Sequence, residues 1–166
     1  MQKYPCQQLL HDRGICVVIP TYNNAGTLAD VVRRTKEQCD DVIVVNDGST
    51  DDTRLILQSI PGIIVVDYAR NEGKGTALKR GFQKALAMGF AYAITLDSDG
   101  QHYPEDIPLL VEAHRQHPGC LIVGQRRLEG VQRSKGSKFA NAFSNFWFCV
   151  QTFHRLRDTQ TGYRLY

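Results

Sequence analysis

The sequence predicts an α/β domain of three layers, with a mainly parallel central sheet and helices on both faces. Three observations carry that expectation. Short β-branched apolar runs alternate about five times with helical patterns along the 166 residues. The runs are apolar at nearly every position rather than at every second one, which is how strands buried on both faces read. Each run also stops at Pro, Asn or an Asp-Gly step, residues that let a chain turn. In such a doubly wound sheet the ligand site is expected along the carboxyl ends of the strands.

Taken in order, Ile15 to Pro20 is the first strand, ending in Thr21-Tyr22-Asn23-Asn24. Leu28, Val31 and Val32 then keep helical spacing. Val42 to Asn46 is the second strand, ended by Asp47-Gly48, and Ser49-Thr50-Asp51-Asp52 are residue types that cap the helix carrying Leu55 and Ile56. Ile63 to Asp67 is the third. The next helix follows Arg70-Asn71-Glu72-Gly73-Lys74-Gly75-Thr76 and has Leu78, Phe82, Ala85 and Leu86 on one side, stopped by Gly89. Ala91 to Leu96 is the fourth strand. Pro104 opens a helix with Ile107, Leu110, Val111 and His114, closed by Pro118-Gly119, and Cys120 to Gly124 is the fifth strand. From Lys135 onward Phe139, Ala142, Phe143, Phe146, Trp147, Val150 and Phe153 fall on one broad apolar stripe of a last helix.

With 42% hydrophobic residues, the chain is long enough for one core. A single domain over 1–166 is expected, with 1–14 as an N-terminal extension and the natural chain free to continue past Tyr166. The five cysteines are odd in number, widely spaced and form no C-x-x-C pair, so neither a disulfide framework nor a zinc knuckle is indicated. A reducing cytosol fits that usage. No signal-like segment and no run of about eighteen apolar residues is present, so no membrane span is expected. Charge is uneven: residues 126–166 hold eight Lys or Arg against two acids, +6, while the first 125 residues carry −3. A basic surface of this kind is either a solvated face or a place for phosphates and lipid head groups.

The strand ends hold the chemistry. Asp97 and Asp99 follow the fourth strand at i and i+2, and Gly100 lets the backbone turn so that the two carboxylates converge. With the amide oxygen of Gln101 they make a hard-oxygen set for Mg²⁺ or Mn²⁺, whose remaining ligands would be waters and phosphate oxygens. The bland alternative is a turn, for which Asp-Ser-Asp-Gly is good material. Asp47 after the second strand is placed to accept hydrogen bonds from a nucleobase N–H, with an Asx-turn as the competing role. The Asn71 to Gly75 loop is neither a G-x-G-x-x-G nor a P-loop, since Leu78 stands where a third glycine belongs, but a glycine-rich helix start with a lysine favours an anion. His102, beside the metal loop, is the one histidine of interest. Nucleic acid is not among the expected partners.

Together, Val18-Ile19-Pro20-Thr21-Tyr22-Asn23, Val44 to Thr53, Asn71 to Ala77, Asp97 to His102, Gly124-Gln125-Arg126-Arg127 and Asp158 to Arg164 resemble the catalytic domain of glycosyltransferase family 2, of GT-A fold. Within that family they are most similar to the dolichyl or polyprenyl phosphate sugar synthases. The resemblance implies that Pro20, Tyr22 and Asp47 contact the nucleoside, with Asn46 where many relatives have a second aspartate. It implies that Asn71 and Lys74 lie near base and ribose, that Asp97, Asp99 and Gln101 hold metal and diphosphate, and that Arg126 and Arg164 clamp phosphate. Arginine's planar fork suits that last use.

The activity so implied is inverting transfer of a hexose from a UDP- or GDP-linked donor. A lipid phosphate acceptor is already anionic and needs no general base. No acid of the kind that deprotonates a sugar hydroxyl follows the fifth strand: Glu129 is isolated in a basic loop and Asp158 begins a turn. The Q-x-x-R-W signature of processive polysaccharide synthases is absent as well. Both absences favour polyprenyl or dolichyl phosphate, at the cytosolic face of a membrane and with peripheral membrane contact. Beside this stand a family 2 enzyme acting on a sugar hydroxyl and a non-catalytic nucleotide-binding module.

Overall fold

Alternation of side chains along β-strands decides how this chain is layered. In the computed structural model, which describes residues 6–124 and 161–166, Ile15, Val17 and Ile19 of β1 (Ile15–Thr21) enter one core cluster, while Cys16 and Val18 enter another on the opposite face. Every residue of β1 and of β2 (Val42–Asp47) is buried. That is the burial on both faces which their uninterrupted apolar runs predict.

The described residues form one sheet of order β3-β2-β1-β4-β6-β5. β3 (Ile64–Tyr68), β2, β1 and β4 (Tyr92–Thr95) are parallel neighbours. The short β6 (Arg164–Leu165) runs antiparallel between β4 and β5 (Ile122–Val123). The sheet is therefore mainly parallel, as expected, with a reversed strand that two residues of sequence could not announce. β3 departs from the expected two-sided burial. It is the edge strand, its exposure alternates, and Val65 is 41% exposed.

Helices cover both faces. α1 (Cys6–Asp12), inside the stretch read as an extension, buries Leu10 completely and brings Cys6 against the core. α2 (Ala25–Lys36) buries Leu28, Val31, Val32 and Thr35, and α5 (Ile107–Gln116) buries Ile107, Leu110, Val111 and His114. Both sets keep the i, i+3, i+4, i+7 spacing of an amphipathic helix. α3 (Thr53–Ser59) adds Leu57 to the same side. On the other face lies α4 (Lys74–Ala87), whose buried residues are the small Ala77, Gly81 and Ala85, so this helix lies close over β1 and β2. A short 3₁₀ turn, Pro104–Asp106, leads into α5.

β1 is where the winding reverses. The chain proceeds from β1 outward to β2 and β3, then crosses through α4 to β4 on the other side of β1. Strand ends diverge at such a point and open a crevice.

Candidate active site

The crevice is a cleft of about 270 Å³ at the carboxyl ends of β1, β2 and β4. Its described lining comes from three places: Pro20, Thr21, Tyr22 and Asn24 after β1; Asp47, Asn71, Lys74 and Ala77 around the β2 end and the start of α4; Asp97, Ser98 and Asp99 after β4.

The β2 end is a tied corner. Asp47 is 3% exposed, and its carboxylate accepts the Glu72 N–H at 2.8 Å through Oδ1 and the Gly73 N–H at 2.9 Å through Oδ2. This aspartate thus anchors the glycine-rich loop that delivers Lys74. Gly48 makes the anchoring possible: its φ of +65° is left-handed, and a Cβ there would collide with the Arg70–Asn71 backbone. Beside Asp47 the Tyr68 hydroxyl is buried, and burial first, then its interaction with the Asp47 carboxylate, raises its pKa. Arg80 closes the corner from outside, its guanidinium 3.8 Å from the centre of the Tyr68 ring and 2.7 Å from both Glu72 carboxylate oxygens.

Asn46 is placed beneath the cleft rather than in it. It is fully buried, donates to Asp67 Oδ1 at 3.0 Å and accepts the Ser49 N–H at 3.2 Å. Its amide is spent on holding β2, β3 and the following turn together. The run Ser49 to Asp52 also works differently from the expected helix cap. Asp51 alone serves the helix starts, accepting the Ala25 N–H of α2 and the Thr53 N–H of α3, each at 3.0 Å. Ser49 and Thr50 instead hold Asn23, which has the uncommon φ of 52°. The β1 and β2 turns are thereby locked to each other, and Tyr22, which lines the cleft, has 44% of its surface exposed.

At the β4 end, Asp97 Oδ1 lies 2.6 Å from Lys74 Nζ across the cleft. A Cβ built on Gly162 would overlap both Asp97 carboxylate oxygens, so the carboxylate rests on bare glycine backbone from the turn before β6. That turn is pinned by Thr95, whose hydroxyl donates to the Gly162 carbonyl at 2.6 Å. Asp99 is exposed and accepts the Gln101 N–H at 3.0 Å, an Asx-turn that shapes the loop. Ser98 is buried, its hydroxyl receiving Asn24 Nδ2 at 2.8 Å and its carbonyl receiving the Thr27 hydroxyl at 2.6 Å. His102 is buried with its ring 5.3 Å from that of Tyr163. Tyr163 donates its hydroxyl to the Tyr103 carbonyl, and burial pushes its pKa up.

Of the residues singled out in the sequence, Pro20, Tyr22, Asp47, Asn71, Lys74, Asp97 and Asp99 line one cleft. Gln101 and Arg164 are outside its lining; Arg164 Nε donates to the Thr161 carbonyl at 3.0 Å. Thr21, Asn24, Ala77 and Ser98 line it without having been singled out. Arg126, with Arg127, Glu129, Asp158 and the aromatic stripe from Phe139 to Phe153, lies outside the described residues.

The family description Glycosyl transferase family 2 matches residues 16–162. The chain belongs to this family. It is 27% identical over 176 aligned positions to a UDP-N-acetylglucosamine–dolichyl-phosphate N-acetylglucosaminyltransferase of Methanococcus voltae, covering 93% of this chain and 70% of that protein. It is 32% identical over 164 positions to the polyprenol monophosphomannose synthase of Mycolicibacterium smegmatis, covering 90% of this chain and 60% of that one. In fold it matches glucosyl-3-phosphoglycerate synthase of Mycobacterium tuberculosis, solved with Mn²⁺, UDP and phosphoglyceric acid, at a TM-score of 0.66 and 24% identity, over 96% of this chain and 57% of that one. The chain thus spans only part of the length of its relatives. The family resemblance read from the motifs and the GT-A architecture are both borne out.

Proposed function

We propose that this family 2 domain is an inverting, divalent-metal-dependent hexosyltransferase that takes its sugar from a nucleoside diphosphate and places it on polyprenyl or dolichyl phosphate. One observation carries the reading: Asp47, Lys74, Asp97 and Asp99, from three separate segments, face a single cleft at the strand ends. Such a cleft offers an anchored corner for the nucleoside on the β2 side and paired carboxylates on the β4 side.

The donor atoms fit a hard cation. Asp97 already faces a positive charge, the Lys74 ammonium, and Asp99 lines the same cleft. Mg²⁺ and Mn²⁺ commonly take one or two carboxylates and complete their shell with waters and substrate phosphate oxygens, which a nucleoside diphosphate would supply here. Asp97, Asp99 and Gln101 would hold the ion. When bound, it neutralises charge growing on the departing diphosphate.

The chain's own residues do the rest. Pro20 and Tyr22 border the nucleoside, Asp47 fixes the loop beside it, and Asn71 and Lys74 reach toward ribose and phosphate. Arg126 and Arg164 are assigned to the phosphates of donor or acceptor. With a lipid phosphate as nucleophile, the attacking oxygen is already charged and no side chain has to remove a proton. The two relatives described above, by their names, use dolichyl phosphate and polyprenol phosphate chemistry, which supports this acceptor. No helix among the described residues is long and apolar enough to cross a membrane, so contact with the bilayer is assigned to the basic segment after residue 125 at the cytosolic face.

The test is a transfer assay with UDP- and GDP-linked hexoses, polyprenyl phosphate in detergent, and Mn²⁺ or EDTA, beside a thermal-shift panel of the same nucleotides. Folded-state binding raises the midpoint by mass action. Expected are transfer to the lipid phosphate with one nucleotide class, abolition by EDTA, and a midpoint shift for that class alone. Efficient transfer to soluble sugars with none to polyprenyl phosphate would overturn the acceptor.

Gly162 offers a second check. Gly162→Ala must displace Asp97 or the turn before β6, and overpacking of this kind costs about 1–3 kcal/mol. Transfer is expected to fall much further than the unfolding midpoint does. Full activity in a folded Gly162→Ala protein would show that the turn before β6 gives way and that the tight Gly162–Asp97 contact is not needed for the reaction.

A further inference from the structure

Lys74 opens α4, and its side chain spans the cleft from the helix start to the end of β4. We propose that Lys74 is a resident counter-ion of the metal site, holding Asp97 while the cleft is empty and yielding it only when a nucleoside diphosphate arrives to receive the ammonium. Metal and nucleotide then bind as a coupled pair, and the bare ion binds poorly. The inference rests on the reading that Asp97 and Asp99 hold a divalent cation beside the donor diphosphate.

Three features support it. First, the pair is close, 2.6 Å between Nζ and Oδ1, so the carboxylate that would ligate the metal is already neutralised. A divalent ion entering alone would meet a compensated Asp97 and the single further carboxylate of Asp99, with a positive charge beside it. Second, the two partners differ in freedom. Asp97 has 20% of its side chain exposed and rests against Gly162, whereas Lys74 has 53% exposed on a long flexible stem. The ammonium is the partner able to move. Third, its base is fixed. The Glu72 and Gly73 amides just before it are held by Asp47, so the lysine swings from an anchored point and stays within reach of whatever fills the cleft. A diphosphate brings oxygens that can accept the displaced ammonium in charge-assisted hydrogen bonds, and others that complete the metal's shell. The swap leaves no charge uncompensated.

Coupling of this kind is reciprocal: the factor by which nucleotide tightens metal binding equals the factor by which metal tightens nucleotide binding, commonly about 5- to 150-fold. Mn²⁺ binding can be read directly from the free-ion electron paramagnetic resonance signal, without turnover. The proteins compared are wild type, Lys74→Gln and Lys79→Gln, the last removing the same charge from an exposed position on the same helix. Each is titrated with Mn²⁺ alone and with the nucleoside diphosphate that wild type prefers. Wild type is expected to bind Mn²⁺ weakly alone and about 5- to 150-fold more tightly with nucleotide. Lys74→Gln should bind Mn²⁺ alone more tightly than wild type, with most of the coupling gone, and Lys79→Gln should match wild type. If wild type shows strong coupling that Lys74→Gln retains, or if both variants gain metal affinity equally, the counter-ion role is overturned while the metal site stands. If no protein binds Mn²⁺ even with nucleotide, the metal reading falls and takes this inference with it.

Discussion

Asp97→Ala is expected to lower sugar transfer by about 10²- to 10³-fold, the usual loss when a group that stabilises developing charge is removed from a reacting centre. The fold should persist. Among the described residues the ion pair of Asp97 is with Lys74, whose side chain is about half exposed, so losing the pair is expected to cost about 1 kcal/mol of stability. Activity and stability therefore part company in this variant, and both can be measured on one preparation: kcat/KM for transfer, and the urea midpoint. Added Mn²⁺ should restore little, because Asp99 alone remains of the two cleft carboxylates that follow β4. A variant with wild-type transfer rates that EDTA leaves untouched would remove Asp97 from the chemistry and return the strand-end carboxylates to the role of a turn.

The sequence shows why some of this architecture is readable in advance. β1, β2 and β4 are runs of apolar residues that lead into polar residues with no helical use, and a buried run followed by Asp47 or Asp97 has little choice but to present that carboxylate at the sheet edge. Other features had no local signal. β3 reads like its neighbours, yet Val65 is exposed: β3 is at the edge of the sheet that the described residues form, which is a property of strand order and not of composition. β6 is two residues long and takes its place only because the chain returns to pair with both β4 and β5. Asn46 and Asp47 are adjacent on β2 and alternate in direction, so one supports β3 from below while the other anchors the loop at the cleft; sequence alone assigns both to the nucleoside. The contact between Gly162 and Asp97 joins segments far apart in the chain, and glycine carries no side-chain signal from which to infer it. The signal for Thr21 and Ser98 was their position at strand ends, beside residues already singled out.

Asp47→Ala is expected to disturb more than base recognition. Read as a nucleobase acceptor, Asp47 would on removal weaken nucleoside binding and spare the phosphates. The structure gives its carboxylate a prior task, since both oxygens already hold amides of the loop that presents Lys74. A hydrogen bond to a charged acceptor contributes about 1.5–3 kcal/mol, and the freed Glu72 and Gly73 amides recover part of that from water, so a net loss of about 2 kcal/mol is expected. The larger consequence is positional. With the loop untied, Lys74 no longer starts from a fixed point, so affinity for the whole nucleoside diphosphate should fall, phosphates included, and by more than affinity for the free nucleoside falls. Hydrogen exchange reports the cause directly: the Glu72 and Gly73 amides should lose protection in the variant while those of β1 keep it. Calorimetry with nucleoside and nucleoside diphosphate reports the effect. Unchanged protection at those two amides would show that the loop holds itself, and equal losses for nucleoside and diphosphate would return Asp47 to direct contact with the base.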